Sequence, residues 1–399
     1  MKWLAGIVLL GMSLAGAQPA PANTFEPTRQ DDPPPNGCKS SNCSLREALR
    51  AAGNRNGADR VLLGDRTYEM GISDDLGLGI ESGDFNLTGP LTVRGAGPRK
   101  TKVDANGLDR VFTAGGLSKV KLKALTIKGG DSGANTGHTS IGGGLTAIGG
   151  KVVLVGVAIR DNAAQFGGGI WSVAPDLVIR NSTIAGNNAG EGGGMDLRGD
   201  VVLAETLIRA STISGNSASK GGGILIDGNP GTGDEPELDV LNSTIAGNMA
   251  SADGGGVMAD NGASAVFSSS TFAYNQANSD DVDLGVGGGL YQHSGAVLAF
   301  FNSLVTENEV GQGGSGPQCA GSTTGNGANA TTSASCPGGV FLDLPIGPLE
   351  DNGGPTRTIK LESGNSAIAR TDNCPPRDQR GKPRPDKDCD SGSFERRGP

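Results

Sequence analysis

A triplet of glycines recurs six times along the middle of the chain, and this repeat constrains the fold more than any other feature. The triplets begin at Gly142, Gly167, Gly192, Gly221, Gly254 and Gly287. An asparagine column repeats beside them, at Asn162, Asn187, Asn216, Asn248, Asn275 and Asn308. Self-similarity at a period of about 20 to 50 residues is typical of solenoids. The 399 residues, of which 69 are glycine and 4% are aromatic, therefore favour one elongated stack of thin coils.

The residues before each column asparagine repeat as well. Three positions earlier stand Ile159, Ile184, Ile213, Ile245, Phe272 and Val305, and eight positions earlier stand Leu154, Ile179, Ile208, Val240, Phe267 and Phe300. Five positions earlier a serine is usual. Positions three and five share a strand face, whereas the step from five to eight breaks the alternation and predicts a bend. Asn181, Asn242 and Asn302 occupy that bend, which asparagine tolerates because it adopts left-handed backbone conformations.

Each repeat thus predicts two short strands that meet at a bend, followed by a second Asn turn, a loop and the glycine triplet. Stacking in register places equal positions about 4.8 Å apart, so that Ile and Val fill the core and the asparagines hydrogen-bond along a ladder. The predicted fold is all-β, a right-handed parallel β-helix over residues 61–342. The Asn-Ser-Thr sequences at 181 and 242 belong to this register and are not interpreted as glycosylation sites.

The N-terminus has the pattern of a secretory signal peptide at residues 1–17. Lys2 precedes the apolar stretch Trp3 to Ala15, and Ala15-Gly16-Ala17 matches a cleavage site. We therefore expect a secreted or cell-envelope protein with no transmembrane segment after cleavage, and a monomer. Residues 18–37 are proline-rich and predict a linker. The net charge of −9 argues against nucleic acid as a partner.

Both ends of a solenoid need covering, because an open end is an unpaired sheet edge. Residues 38–60 predict an N-terminal cap with a short helix, in which Ser44 and Glu47 form a capping box. Residues 343–399 are rich in proline, glycine and charge and predict a C-terminal cap, with a strand at Thr356–Leu361.

Six cysteines lie outside the repeats. Proximity in sequence favours the pairs Cys38–Cys43, Cys319–Cys336 and Cys374–Cys389, although six cysteines allow 15 connectivities. An even number of cysteines in an exported chain indicates disulfides. None has the spacing of a zinc or redox site, so no cofactor is expected, with calcium left open.

Three segments resemble known families of exported bacterial proteins. Cys43-Ser44-Leu45-Arg46-Glu47-Ala48 resembles the motif of the CSLREA domain, and residues 351–358 and 378–381 resemble choice-of-anchor regions. The central repeats are similar to those of polymorphic outer-membrane proteins. The resemblance implies an exported β-helix of the pectin-lyase-like shape, usually without an assigned activity. The chain departs from the anchor pattern because no apolar tail follows residue 395.

One column can carry chemistry. Asp227, Asp260 and His293 stand four residues after the last glycine of successive triplets, preceded in the column by Arg198. In register, the two carboxylates lie on neighbouring coils about 5 Å apart, a separation that suits a retaining glycosidase pair. All three are also ordinary turn sequences. The loop with Asp280, Asp281 and Asp283 is a candidate for calcium, or is solvated loop charge.

Three functions remain open at this stage. The first is a non-enzymatic exported β-helix that acts at or near the cell surface in adhesion or glycan contact, with polysaccharide or surface components as partners. The second is a polysaccharide lyase or glycoside hydrolase, which rests on analogy of fold. The third is a structural spacer of the envelope. A fold-wide repeat without converging acid and base groups favours the first.

Overall fold

The computed structural model describes residues 21–54, 57–73, 83–116, 119–133, 140–173, 176–199, 205–228, 235–282, 284–341 and 343–396. The predicted signal peptide at 1–17 and Asp283 lie outside these ranges. No helix within them is long and apolar enough to cross a membrane.

Parallel strands stack coil on coil into four sheets in the described part of the chain. Sheet 1 consists of Thr24–Phe25, Asp59–Leu62, Leu91–Arg94, Lys119–Lys123, Lys151–Val155, Asp176–Arg180, Glu205–Arg209, Glu237–Leu241, Ser264–Ser268, Val297–Phe301 and Thr324–Asn326. Sheet 2 consists of Thr67–Glu69, Lys102–Asp104, Thr126–Lys128, Ala158–Arg160, Thr183–Ala185, Thr212–Ser214, Thr244–Ala246, Thr271–Ala273, Leu304–Thr306, Ala330–Thr331 and Gly339–Val340. The chain is therefore an all-β parallel solenoid, as its repeat predicts.

Two further sheets complete the coil. Sheet 3 consists of Ala163–Phe166, Asn188–Glu191, Ser217–Ala218, Met249–Ala250, Gln276–Ala277 and Glu309–Val310. Sheet 4 consists of Phe85–Leu87, Phe112–Gly115, Leu145–Ile148, Ile170–Val173, Met195–Arg198, Ile224–Asp227, Val257–Asp260, Leu290–Gln292 and Cys319–Ala320. The prediction of two strands per coil is thus incomplete. Alternation is hard to see in several strands of sheet 4, because outward residues such as Leu225 and Met258 are buried as fully as the inward ones.

The register of the stack is the one that the repeat predicts. Ile159, Ile184, Ile213 and Ile245 are successive partners in sheet 2, and all are buried. The bend between sheets 1 and 2 has left-handed backbone at every coil from 156 to 302, with φ from 47° to 62°. The bend residues are Gly156, Asn181, Ala210, Asn242, Ser269 and Asn302.

A ladder of buried asparagine side chains follows sheet 2. Asn216 donates from Nδ2 to Oδ1 of Asn248 at 2.9 Å, and Asn248 donates to Oδ1 of Asn275 at 2.9 Å. The same bonds join the other members of the column, and Asn308 closes it on Oε1 of Gln318 at 2.7 Å. A parallel serine ladder runs beside it, in which each backbone amide donates to the next serine hydroxyl and the last donates to Asn329.

The N-terminal end is covered by the helix Leu45–Gly53. Its capping box between Ser44 and Glu47 is present. Residues 21–37, for which proline content predicts a linker, instead pack onto this cap. Thr24–Phe25 is a parallel strand on Asp59–Leu62, and the buried carboxylate of Asp32 contacts the Arg46 guanidinium at 2.6 Å. The linker prediction is wrong because a strand pairing, backbone hydrogen bonds to Cys43 and the Asp32–Arg46 ion pair join the segment to the cap.

The segment 343–396 lies along the side of the solenoid, not across its end. It contains an antiparallel hairpin of Ile346–Glu350 and Thr358–Leu361, whose second strand starts two residues later than the predicted strand at Thr356–Leu361. Gln379 donates from Nε2 to Thr212 Oγ1 at 2.9 Å and accepts from Thr244 Oγ1 at 2.6 Å. Ile359 packs on the outward alanines of sheet 2. The predicted end cap is therefore a lateral cover, which explains why outward positions of the late sheet 2 strands are buried.

Three disulfides join Cys38 to Cys43, Cys319 to Cys336 and Cys374 to Cys389. The first lies in the N-terminal cap, the second at the last coils and the third in the lateral segment. Each therefore fastens a part of the chain that the repeated ladders do not hold.

Candidate functional site

The structure brings the candidate column together on the outer edge of sheet 4. Asp227 and Asp260 end neighbouring strands and are direct register partners. Arg198 is the partner of Asp227 on the preceding coil. His293 follows the strand Leu290–Gln292 on the next coil. Because adjacent parallel strands lie about 4.8 Å apart, the four side chains form one row along the solenoid.

Arg198 is the centre of an ion-pair cluster at the first end of the row. Its guanidinium donates to Asp196 Oδ1 at 2.7 Å and to Glu191 Oε2 at 2.5 Å, and a third ion pair joins it to Asp227. It also lies over the ring of Phe166, 5.4 Å from the centroid. Since Glu191 and Phe166 belong to sheet 3, the guanidinium fills the corner where the chain turns through the glycine triplet.

The second end of the row is open to solvent. His293 Nδ1 lies 2.8 Å from Asp260 Oδ1, and the histidine side chain is 49% exposed against 16% for Asp260. Asn261 connects the two carboxylates, since its Nδ2 donates to Asp227 at 2.7 Å and its backbone amide donates to Asp260 at 2.7 Å. Each candidate carboxylate is therefore held by a nitrogen donor on its own or a neighbouring coil.

Asp196 is the most perturbed group of the site. Its side chain is 0% exposed, and burial raises the pKa of the carboxyl to about 7, against the opposing attraction of Arg198. The three surrounding carboxylates raise the pKa of Arg198 in spite of its burial. A carboxyl with this pKa suits a general acid, yet the Arg198 guanidinium covers it. The Asp196 carboxyl is therefore not accessible to a ligand.

We expect Asp196 to make stability depend on pH. Its pKa is about 3.9 in an unfolded chain and about 7 when folded, so the native state holds a proton that the unfolded state releases between these values. The free energy of unfolding should fall as pH rises through this window, by up to ~1.4 kcal/mol per pH unit. Asp196→Asn should flatten that slope in urea denaturation series from pH 4.5 to 7.5. Equal slopes in both proteins would contradict the assignment.

Two aromatic rings lie in the neighbouring row of sheet 4, one near each end of the candidate row. Trp171 is the register partner of Asp196 on the preceding coil. Tyr291 lies 5.5 Å from His293 between ring centroids. Both aromatic side chains are half-buried. The site thus offers hydrogen-bond donors and acceptors on consecutive coils, with an aromatic ring near each end.

The acidic loop does not join this site. Asp281 accepts the backbone amide of Gln312 at 2.7 Å, and Asp280 accepts that of Val282 at 3.2 Å. Within the described residues, no group of three or more His, Cys, Asp or Glu side chains is placed to hold a metal ion. For the two described loop carboxylates, the backbone contacts agree with the turn interpretation.

Sequence reasoning missed Asp196, Glu191 and Phe166. The only signal for Asp196 is a single acid between Met195 and Leu197 in a strand whose neighbours are apolar at the same position. Glu191 and Phe166 stand directly before a glycine triplet, and nothing in the sequence shows that the triplet turns them toward sheet 4.

No family model and no curated protein matches the chain in sequence. Among solved structures, the crystal structure of pectate lyase Pel9A is similar, with a TM-score of 0.50 and 14% sequence identity. The match covers 94% of this chain and 96% of that chain. At this identity the likeness shows the fold, a parallel β-solenoid of the pectate lyase type, and nothing about the site.

Proposed function

We propose that this chain is an extracellular, non-catalytic solenoid that contacts an extended glycan along the row from Arg198 to His293. The observation that carries the proposal is the row itself, in which Asp227, Asp260 and His293 stand on consecutive coils, with the rings of Trp171 and Tyr291 near the two ends of the row. Sugar hydroxyls donate and accept hydrogen bonds, and such mixed polar and aromatic surfaces complement them.

The chemistry of the row supports binding more than cleavage. A hydrolase needs one carboxyl kept protonated and one ionised, both in contact with the scissile bond. Here the carboxyl with the raised pKa, Asp196, is fully buried beneath Arg198. The accessible carboxylates, Asp227 and Asp260, are both engaged with nitrogen donors.

The disulfides and the N-terminal pattern support a compartment outside the cytoplasm. Disulfides form and persist mainly in oxidising compartments, and three are present. Together with the predicted signal peptide, they support a location outside the cytoplasm, at or near the cell surface. Adhesion through a surface polysaccharide is the role that fits this location.

Glycan binding is tested by titrating the full chain with a panel of acidic and neutral polysaccharides in a calorimeter. We expect saturable binding to at least one of them. His293→Ala should weaken it by about 5- to 10-fold, the effect of one lost hydrogen bond. Asn188→Ala, an exposed change on sheet 3, is the matched control and should leave the affinity unchanged. Binding that is equal in all three proteins would contradict the proposed site.

The alternative is a lyase or hydrolase, which the register pairing of Asp227 with Asp260 favours. In that case the same panel should yield new reducing ends or unsaturated uronates, and Asp227→Asn should abolish them. A structural spacer of the envelope, in contrast, should neither bind nor cleave any member of the panel.

A further inference from the structure

The outer face of sheet 1 carries segregated charge on five consecutive strands. Its outward residues in the first two rows are Lys119 and Lys121, then Lys151 and Val153, Asp176 and Val178, Glu205 and Leu207, and finally Glu237 and Asp239. The face is thus basic at one end, apolar in the middle and acidic at the other end.

The charges on this face are arranged symmetrically about the middle strand, with opposite signs at equal distances from it. Lys121, Val153, Val178, Leu207 and Asp239 are successive register partners in one row. Lys121 and Asp239 stand at equal distances from Val178 and carry opposite charges, and the aliphatic Val153 and Leu207 stand at equal distances between them. The neighbouring row from Lys119 to Glu237 has the same property about Asp176.

Most charged side chains on this face of sheet 1 make no ion pair or side-chain hydrogen bond with described residues of their own copy. Lys119, Glu205, Glu237 and Asp239 are exposed, and none of them makes a side-chain hydrogen bond or ion pair with any described residue. Lys151 is the exception, since its Nζ lies 3.3 Å from Asp176. That pair neutralises Asp176, the acid on the middle strand.

We propose that this face binds a second copy of the chain, face to face and antiparallel. The two-fold axis lies along the strand Asp176–Arg180 and passes over Val178. Lys121 then faces Asp239 of the second copy, and Lys119 faces its Glu237. Val153 meets Leu207 of the second copy, so opposite charges enclose an apolar centre.

A second copy fits this face better than a polyanion does. A polyanion bound to the lysines and extending along the face would be repelled by Glu205 and Glu237. A second copy pairs the basic end and the acidic end with opposite charges at the same time. The third outward row does not share the symmetry, because the axis places Lys123 opposite Leu241 and Arg180 opposite Arg180 of the second copy. Five strands of five residues cover about 17 by 24 Å, roughly 400 Å² per copy. This is half of a standard interface, so we expect weak association.

The test is sedimentation equilibrium of the full chain up to several hundred micromolar, at low and high salt. We expect dimers that dissociate in 0.5 M NaCl. Lys121→Glu and Asp239→Lys should each weaken self-association at least ~10-fold, because each places like charges opposite one another. An equimolar mixture of the two variants should form dimers again, since every facing pair is then complementary.

Matched changes in the lateral segment, Lys387→Glu and Asp386→Lys, should leave the wild-type behaviour unchanged. A monomeric wild type over this range would overturn the proposal. So would dimers that form equally well in Lys121→Glu and Asp239→Lys. Loss of binding to an acidic polysaccharide in Lys121→Glu, with all proteins monomeric, would assign the face to a glycan instead. Because the row on sheet 4 is untouched, failure here is distinguishable from failure of the proposed function.

Discussion

Replacing Gly222 by alanine is expected to lower the free energy of unfolding by at least ~3 kcal/mol, more than ordinary overpacking costs. Gly222 is the middle residue of its triplet and does not have left-handed backbone. A Cβ there would overlap the carbonyl oxygen of Met249 and lie 2.6 Å from that of Gly255. Both oxygens are backbone atoms of the next coil, and Gly255 O accepts the Gly223 amide at 3.0 Å, so relieving the overlap requires the stacked coils to move apart.

Gly247 provides the matched control, because it separates crowding from backbone strain. It has φ of 64° and no atom within 4 Å of a built Cβ. Gly247→Ala should cost only the left-handed penalty, about 1 to 2 kcal/mol. Chemical denaturation of both variants measures the difference. If Gly222→Ala were the milder change, close coil stacking would not be the reason for the triplets.

Replacing Asn248 by aspartate is expected to cost about 3 to 5 kcal/mol at neutral pH, the cost of breaking a buried polar network. Asn248 is 0% exposed and donates from Nδ2 to Ile213 O at 3.0 Å and to Asn275 Oδ1 at 2.9 Å. A carboxylate oxygen would face these two acceptors with no proton to share. The loss should shrink at pH 5, since a protonated carboxyl can donate one of the two bonds.

Asn188→Asp is the control for this change, because Asn188 is exposed beside the ladder member Asn187. It should alter stability by less than ~0.5 kcal/mol. Urea unfolding at pH 7 and pH 5 distinguishes the two sites. A small effect at Asn248, or one independent of pH, would mean that the ladder does not hold the coils in register.

The ladders and the core were predictable because they repeat at fixed offsets. Each column asparagine stands three residues after a buried Ile, Phe or Val, and a bend with left-handed backbone stands six residues before it. In a parallel stack, such columns determine the register directly. The row of Asp227 and Asp260 followed from the same reasoning, since it is one more column.

The parts that were missed lack this periodic signal. Asp196 lies in a strand whose two faces are both buried, so alternation does not reveal its orientation. The lateral position of 343–396 depends on contacts such as Gln379 with Thr212, which are 167 residues apart. The sequence signals this cover only through the uncharged outward positions of sheet 2 at Thr244, Ala246 and Ala273.

We propose that the row on sheet 4 holds a glycan without cutting it. The most direct measurement follows binding and product formation in one titration of the full chain with the best-bound polysaccharide. We predict saturation that weakens in His293→Ala, with no new reducing ends and no unsaturated uronates. Cleavage products that disappear in Asp227→Asn would contradict the claim and assign catalysis to the same row.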